Sequence, residues 1–205
     1  MLGFYDYTVI MTYISLTSSI VGMMVGSQGR FKMAVFCLAL SGFCDMFDGK
    51  IARTKKNRTE AQKKFGIQLD SLCDVVCFGA FPALLSYWIG VNSWHGRIIL
   101  VLYAICGVIR LAYFNVMEEI RQNETSENRK VYQGLPITSI SVILPIAYLL
   151  RPVLRSSFQG VLEGVMAITG LLFITDFAVK KPDNRTLAVL VAVVGLAILK
   201  IMRVF

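Results

Sequence analysis

Long apolar runs separated by short polar stretches dominate this 205-residue chain. Positions 8–26 and 134–150 contain no charged residue. A helix needs about 20 mostly apolar residues to cross the hydrocarbon core of a bilayer. The pattern predicts seven spans, at 8–26, 31–53, 66–90, 96–117, 134–150, 158–178 and 185–203. Because the ends of the last two are less sharply marked, the predicted fold class is an all-α, polytopic transmembrane bundle of six to eight spans.

Composition agrees with a membrane protein. The chain is 56% hydrophobic and only 17% charged, with a mean hydropathy of +0.63, which excludes an ordinary soluble domain. We find no internal repeat and no shift in composition, so residues 1–205 are predicted to form a single domain. The first residues lack the basic, apolar and small-residue order of a leader, and no cleaved signal peptide is expected.

The net charge of +8 fits membrane topology better than nucleic-acid binding, because the basic residues flank the predicted spans. If the stretch 54–65 is cytoplasmic, alternation of the spans brings 14 of the 21 Lys and Arg to that side. The remaining seven are Arg30, Lys32, Arg97, Arg151, Arg155, Lys200 and Arg203. The positive-inside rule therefore predicts a multi-pass protein of the cell membrane with 54–65 in the cytoplasm, although Arg151 and Arg155 oppose this orientation. The polar stretch 118–133 is interpreted as a solvated connector.

Four aspartates interrupt this pattern at one depth. Asp45 and Asp48 end the second predicted span, and Asp70 and Asp74 begin the third. Spacings of three and four place each pair on one helical face, so two antiparallel neighbours would bring all four carboxylates together near the cytoplasmic face.

Such a cluster needs protons or cations to offset its repulsion. Oxygen-only ligation suits Mg²⁺, Mn²⁺ or Ca²⁺, and four carboxylates suffice for two ions, an arrangement suited to a diphosphate. The alternative is that some of the aspartates cap helices or face water, with Asp70 the best candidate for a cap.

The residues between the aspartates suit phosphate chemistry. Gly49 and Ala52 keep the helix surface low beside Asp48, and the Arg53 guanidinium can bind a phosphate with two hydrogen bonds. Gly66, four residues before Asp70, would permit close helix approach.

The pattern Asp45-x2-Asp48-Gly49-x2-Ala52-Arg53, followed by Gly66-x3-Asp70-x3-Asp74, resembles the signature of the CDP-alcohol phosphatidyltransferases. Twelve residues, 54–65, separate its halves, against about eight in the family pattern, and loops between spans tolerate such insertions.

The resemblance implies a helical homodimer that uses a CDP-linked lipid as donor and releases CMP. It implies that the four aspartates of 45–74 bind the divalent metals and that Asp74 is the general base. It also implies that Gly49 and Ala52 shape the nucleotide site and that Arg53 holds a phosphate.

Two shorter motifs concern the acceptor. RLAYFN at 110–115 and QGLPIT at 133–138 resemble the family members that transfer a phosphatidyl group from CDP-diacylglycerol to L-serine. Arg110 is a candidate for the serine carboxylate, with pairing to an internal aspartate or snorkelling to headgroups as alternatives. Asn115, Gln133 and Thr138 are candidates for the amine or hydroxyl, or for satisfying backbone at a helix end.

In the first span, Ser15 and Ser18 share a face and could contact the cytidine, although packing by small residues is the simpler explanation. Two other functions stay open. A glycerol 3-phosphate or inositol phosphate acceptor would keep the chemistry, and a cation transporter would place its carboxylates near the middle of the bilayer. Pro82 is predicted to kink the third span.

Overall fold

The computed structural model describes residues 3–4, 7–52, 54–55, 57, 59–124, 131–180 and 184–204. Within them lie nine α-helices and two three-residue strands. In chain order they are α1 (Ile10–Ser27), α2 (Phe31–Ala52), α3 (Glu60–Asp74), α4 (Phe81–Ile89), α5 (Trp94–Glu124), β1 (Val131–Gln133), α6 (Ile140–Leu149), α7 (Arg151–Leu154), α8 (Phe158–Ile174), β2 (Ala178–Lys180) and α9 (Asn184–Val204). A π-helical turn, Val75–Ala80, joins α3 to α4, and short 3-10 turns precede α1, α6 and α8.

Five helical segments are long and apolar enough to cross a membrane: Tyr7–Ser27, Glu60–Ile89, Trp94–Arg121, Arg151–Ile174 and Arg185–Arg203. The apolar helix Ile137–Leu149 is shorter. Helix α2 has 22 residues but carries four charged ones, Lys32, Asp45, Asp48 and Lys50. The fold is therefore that of an integral multi-pass membrane protein.

Three helix boundaries differ from those predicted from the sequence. The third helix begins at Glu60 rather than at 66, because Thr59 and Gln62 form a capping box that satisfies the first free backbone amides. Helix α5 continues to Glu124, so the first part of the predicted connector 118–133 is helical. The sixth predicted span ends at Ile174, where Thr175 adopts an extended conformation.

The described fold is helical, as predicted, and its one addition among the described residues is a small two-stranded sheet. Strand β1 pairs antiparallel with β2, with Val131 opposite Lys180 and Gln133 opposite Ala178. This pairing ties the segment before α6 to the segment after α8, which places β1 and β2 at one end of the bundle.

Helices α1 and α2 form the most extensive contact in the bundle, and small residues make it possible. A Cβ on Gly22 would lie 2.8 Å from the Cβ of Cys37, and one on Gly26 would meet the Trp88 ring at 2.9 Å. The absence of a side chain at Gly22 lets α1 and α2 approach closely, as in many membrane helix pairs, and at Gly26 it makes room for the Trp88 ring of α4.

A π-helical turn, Val75–Ala80, lies just before Pro82, the position at which a kink was predicted. Proline has no amide hydrogen, so the carbonyl of Phe78, four residues earlier, loses its helical donor. The hydroxyl of Tyr103 in α5 donates to that carbonyl at 2.6 Å. Tyr103 and Phe78 are both buried in the core, and π-helical turns of this kind are frequent near functional sites.

The bundle has two distinct ends. The aspartate end contains the C-terminus of α2, the start of α3 and the β1–β2 sheet. The opposite end contains the turns that join α1 to α2, α4 to α5 and α6 to α8. The turns of the opposite end contact neighbouring helices. The Arg151 guanidinium lies 5.8 Å from the Phe31 ring at the start of α2, and Ser93 donates to Glu163 of α8 at 2.8 Å.

Candidate metal and phosphate site

The aspartates of α2 and α3 meet as their spacing predicted. One carboxylate oxygen from each of Asp45, Asp70 and Asp74 lies within 4.8 Å of the other two. Asp48 adjoins this group, since its carboxyl group interacts with that of Asp70. Two antiparallel helices thus bring four carboxylates into one cluster, and at least three of these can ligate the same cation.

The oxygens of this cluster fit a hard cation. Asp74 is only 9% exposed, and the Oδ1 atom of Asp70 is buried without a hydrogen-bond partner in the described part of the chain. A buried carboxylate oxygen without a donor is costly. Close carboxylates with an unpaired oxygen are the donor set that Mg²⁺, Mn²⁺ and Ca²⁺ prefer, so Asp45, Asp70 and Asp74 are suited to bind a metal.

Helix α1 supplies a neutral neighbour for the cluster. The Thr12 hydroxyl donates to Oδ2 of Asp48 at 3.4 Å. Thr12 lies one turn before Ser15 on the buried face of α1, a face that its run of small polar residues already marks in the sequence. The aspartate spacing gave no indication of this contact.

Ser71 ties the site to α5. Its hydroxyl donates to Oδ1 of Asn115 at 2.9 Å, and it directly follows Asp70 in the chain. This bond was not predicted, because it joins residues 44 positions apart. It gives Asn115, a candidate for acceptor binding, a defined partner on the helix that carries Asp70 and Asp74.

The two glycines of the signature lie on the helices that carry the aspartates. Gly49 is exposed, and a Cβ added to it would meet nothing within 4 Å, so the space beside Asp48 is open. Gly66 lies one turn before Asp70 in α3. Ala52 is the last residue of α2, but its side chain lies outside the description, as does Arg53. Their predicted roles stay predictions.

Arg110 donates hydrogen bonds to two backbone carbonyls. It is 8% exposed, and its Nη1 donates to the carbonyl oxygen of Gln133 at 2.6 Å and to that of Phe173 at 3.4 Å. Phe173 is in the last turn of α8, where carbonyls lack helical donors. The guanidinium therefore caps α8 and fixes it to the end of β1.

The QGLPIT segment completes the same junction. Gly134 has φ = 67°, a left-handed conformation that glycine adopts freely, and a Cβ there would lie 2.8 Å from the Thr175 carbonyl oxygen. Leu135 donates its amide to the carbonyl of Leu172 at 3.1 Å, and Gly134 donates to Phe177 at 2.7 Å. The left-handed backbone and the nearby Thr175 carbonyl therefore explain, on structural grounds alone, why this position of the motif is a glycine.

The remaining acceptor candidates lie near this junction. The side-chain oxygen of Gln133 is 3.5 Å from the Tyr113 hydroxyl, and Thr138 lies in the 3-10 turn before α6. No contact of either residue with the aspartates is recorded. Their roles in acceptor binding stay predictions.

Ser15 and Ser18 are buried between α1 and α2. The Ser15 hydroxyl lies 2.8 Å from that of Ser41, and Ser18 donates to the carbonyl of Cys37 at 2.8 Å. These contacts satisfy both hydroxyls, in agreement with the packing explanation. Contact with a cytidine stays a prediction.

Comparison with known proteins identifies the class. The family model for CDP-alcohol phosphatidyltransferase matches residues 7–175, and the chain belongs to this family. It is therefore a multi-pass membrane protein of the CDP-alcohol phosphatidyltransferase family.

Curated relatives refine the comparison. The chain is 32% identical over 141 residues to a CDP-diacylglycerol--serine O-phosphatidyltransferase of Saccharomyces cerevisiae, covering 68% of this chain and 50% of the relative. It is 30% identical over 177 residues to the protein of the same name from Helicobacter pylori strain J99, covering 84% and 70%. It is 30% identical over 141 residues to an archaetidylserine synthase of Methanothermobacter thermautotrophicus, covering 68% and 56%. The chain thus spans only half to about two-thirds of the length of these relatives.

Proposed function

We propose that this protein transfers the phosphatidyl group of CDP-diacylglycerol to the hydroxyl of L-serine and releases CMP. The observation that carries this proposal is the carboxylate cluster of Asp45, Asp70 and Asp74, with its unpaired Asp70 oxygen, in a chain of the phosphatidyltransferase family. Serine is favoured because the names of the relatives share it as acceptor.

We assign Asp45, Asp48, Asp70 and Asp74 as ligands of divalent metal, Mg²⁺ or Mn²⁺ with Ca²⁺ as a third candidate, and two ions as the count. Bound there, the metal would neutralise charge on the diphosphate of the donor. The chain's own contribution is to hold four carboxylates on two rigid helices, so that the donor is oriented before reaction.

Asp74 is proposed as the general base. The serine hydroxyl must lose its proton as its oxygen attacks phosphorus, and a carboxylate within reach can accept that proton. Asp74 is buried, whereas the other three aspartates are partly exposed, and the apolar core follows directly after it. Burial of this kind keeps water from competing with serine for the phosphorus.

The nucleotide and acceptor are proposed to lie on either side of the cluster. Gly49 and Ala52 leave room for the nucleotide, Arg53 holds a phosphate, and Gly66 allows α3 to approach. The acceptor proposal includes Asn115, Gln133 and Thr138, with Arg110 fixing the junction behind them. Ser15 and Ser18 are left to helix packing, which their recorded bonds support.

The proposed setting is the cell membrane, crossed by six to eight spans, with the aspartate end facing the cytoplasm. The excess of Lys and Arg on that side supports the orientation. A homodimer is included because the family resemblance implies it. Light scattering of the purified protein tests the dimer, and accessibility of an engineered cysteine in 54–65 tests the orientation.

The experiment that tests the function measures CMP release from CDP-diacylglycerol by the purified chain in detergent. L-serine, glycerol 3-phosphate and inositol phosphate are compared as acceptors, each with Mn²⁺, with Mg²⁺ and with EDTA. We expect release with serine that EDTA abolishes. Release with only a phosphorylated acceptor would overturn the serine assignment. No release with any acceptor, together with cation uptake into vesicles, would favour a transporter.

A further inference from the structure

Positive charge is concentrated at the end of the bundle opposite the aspartates. Among the described residues, seven Lys and Arg lie there, in the turns and helix ends of that side, together with one side-chain carboxylate, Glu163. The seven are Arg30, Lys32, Arg97, Arg151, Arg155, Lys200 and Arg203. Seven cations and one anion give this end a formal charge of +6, with His95 neutral.

The aspartate end is nearly balanced by comparison. Alternation of the spans assigns it the other 14 Lys and Arg and the other 12 of the 13 Asp and Glu, a difference of +2. Most of the chain's formal charge of +8 therefore lies at the end that has no part in the proposed chemistry. Counting Lys and Arg alone conceals this asymmetry.

Two arginines of the opposite end are held against aromatic rings. The Arg151 guanidinium lies 5.6 Å from the Tyr148 ring and 5.8 Å from the Phe31 ring, and its Nη1 donates to the Tyr148 hydroxyl at 3.2 Å. The Arg97 guanidinium lies 5.9 Å from the Tyr87 ring, and its Nε donates to a backbone carbonyl at 2.9 Å. These contacts restrict the side chains before any ligand binds.

The aromatic residues also indicate depth in the membrane. Trp94 is 75% exposed at the start of α5, and Trp and Tyr concentrate at the boundary between hydrocarbon and headgroups. Arginines packed beside such residues lie at the level of lipid phosphates, which a guanidinium binds with two hydrogen bonds.

The carboxylate at this end is already engaged. Glu163 accepts hydrogen bonds from Ser93 at 2.8 Å and Gln159 at 3.1 Å, and its other oxygen is 3.2 Å from His95 Nε2. It joins the turn before α5 to α8, and it is 88% covered, with 12% of its side chain exposed. Arg30, Arg155 and Arg203 are exposed by contrast.

We propose that the opposite end is a binding surface for the headgroups of anionic phospholipids in the leaflet it touches. The partner follows from charge complementarity, since basic side chains near a bilayer surface attract anionic lipid. Because all seven cations lie away from the aspartates, this binding is independent of the phosphatidyl transfer and of the acceptor.

The test compares two triple variants. R30Q/R155Q/R203Q removes three exposed cations from the opposite end, and K63Q/K64Q/R185Q removes three exposed cations from the aspartate end. Each protein is placed in nanodiscs of equal parts phosphatidylcholine and phosphatidylglycerol. Native mass spectrometry then gives the ratio of the two lipids that remain bound to the released protein.

We expect the unmodified protein to retain phosphatidylglycerol preferentially. The free energy of attraction scales with charge, so removing three of six net charges should cut the logarithm of this preference by about half. K63Q/K64Q/R185Q should keep most of it. An unchanged preference in R30Q/R155Q/R203Q, or an equal loss in both variants, would overturn the proposal.

Folding is checked by thermal unfolding in pure phosphatidylcholine nanodiscs, where both variants should match the unmodified protein. If R30Q/R155Q/R203Q unfolds early, the double variant R30Q/R203Q replaces it, with K63Q/R185Q as its control. The double variant should lose about a third of the logarithm of the preference. A loss no greater than that of its control would count against the proposal.

Discussion

Two buried polar groups near the same end of the bundle differ in how their hydrogen bonds are satisfied. In the aspartate cluster, like charges meet and the Asp70 Oδ1 atom has no donor among the described residues. In the Arg110 junction, a cation meets two backbone carbonyls, and the neighbouring amides of Gly134 and Leu135 also find acceptors. The first arrangement leaves a buried carboxylate oxygen without a donor among the described residues, whereas the second pairs a cation with backbone carbonyls.

The difference gives a criterion for separating reactive from structural polar residues in this membrane protein. Both groups are costly in an apolar setting, and sequence alone presents both as functional candidates. A side chain that donates hydrogen bonds to backbone carbonyls stabilises the fold. A carboxylate cluster that leaves a buried oxygen unpaired lowers stability but keeps that oxygen available to a ligand. Substitutions in the two groups should therefore have opposite consequences for activity and for stability.

Asp74→Asn should have the largest effect on activity. The amide cannot accept the proton of the acceptor, so CMP release should fall by about 10²- to 10⁴-fold. Stability without metal should be unchanged or higher, because one of four close carboxyl groups is replaced by a neutral amide. Steady-state CMP release and thermal unfolding in EDTA measure the two effects. Intact activity would refute the base assignment.

Arg110→Leu should show the reverse pattern. Removing the guanidinium leaves the carbonyls of Gln133 and Phe173 without this donor, and the unfolding free energy should fall by about 2–4 kcal/mol. Mn²⁺ binding by the folded fraction should be unchanged, since the Arg110 bonds to Gln133 and Phe173 join α8 to β1, whereas the metal ligands belong to α2 and α3. Thermal unfolding and Mn²⁺ titration measure these effects.

An acceptor role for Arg110 predicts something else. If the guanidinium bound the serine carboxylate, the variant would keep its unfolding temperature, and its KM for serine would rise strongly. That result would return Arg110 to the acceptor site and remove the distinction between the two groups.

The sequence predicts the aspartate cluster better than the Arg110 junction, for a physical reason. Asp45 and Asp48, like Asp70 and Asp74, are paired by helical periodicity, a local rule, and one further step brings the two antiparallel helices together. The Arg110 carbonyl partners lie 23 and 63 residues away, in a junction built by irregular backbone. No periodicity encodes such a contact.

The same reasoning applies to the fold. Apolar runs predicted the positions of the five long apolar helices, because burial in lipid requires apolar length. The predicted span 134–150 contains only the shorter helix Ile137–Leu149. The β1–β2 pairing joins two three-residue strands, with Gln133 opposite Ala178 and Val131 opposite Lys180. These strands are distant in the chain and too short to give a strand pattern. The π-helical turn was predicted only as a kink at Pro82, since the donor that makes it tolerable, Tyr103, belongs to another helix.

Two glycines of α2 give a smaller and sharper contrast. Gly42 faces α6, where an added Cβ would collide with the Ser141 side chain, while Gly49 faces open space. Gly42→Ala should lower the unfolding free energy by about 1–3 kcal/mol. Gly49→Ala should raise it slightly, by up to about 1 kcal/mol, as for alanine in a helix interior.

The KM for CDP-diacylglycerol should also distinguish the two glycines, and here the larger effect is expected at Gly49. If Gly49 leaves room for the nucleotide, Gly49→Ala should raise the KM for CDP-diacylglycerol while the protein stays folded. Gly42→Ala should leave that KM unchanged in the folded fraction. Equal KM values for Gly49→Ala and the unmodified protein would remove Gly49 from the nucleotide site.

The Ser71–Asn115 hydrogen bond should give the smallest effect, and it lies between the two groups in character. It is complete within the chain, as at the Arg110 junction, yet it adjoins Asp70. Ser71→Ala and Asn115→Ala each remove the same bond of 2.9 Å, and each should lower the unfolding free energy by about 0.5–1.5 kcal/mol. If the bond serves only to join α3 to α5, the two variants and their double mutant should be alike in stability and in serine KM.

If Asn115 also binds the acceptor, only Asn115→Ala should raise the serine KM, because Ser71→Ala leaves the amide in place. Serine titrations of the three variants decide between these outcomes, and a raised KM in Ser71→Ala alone would contradict both.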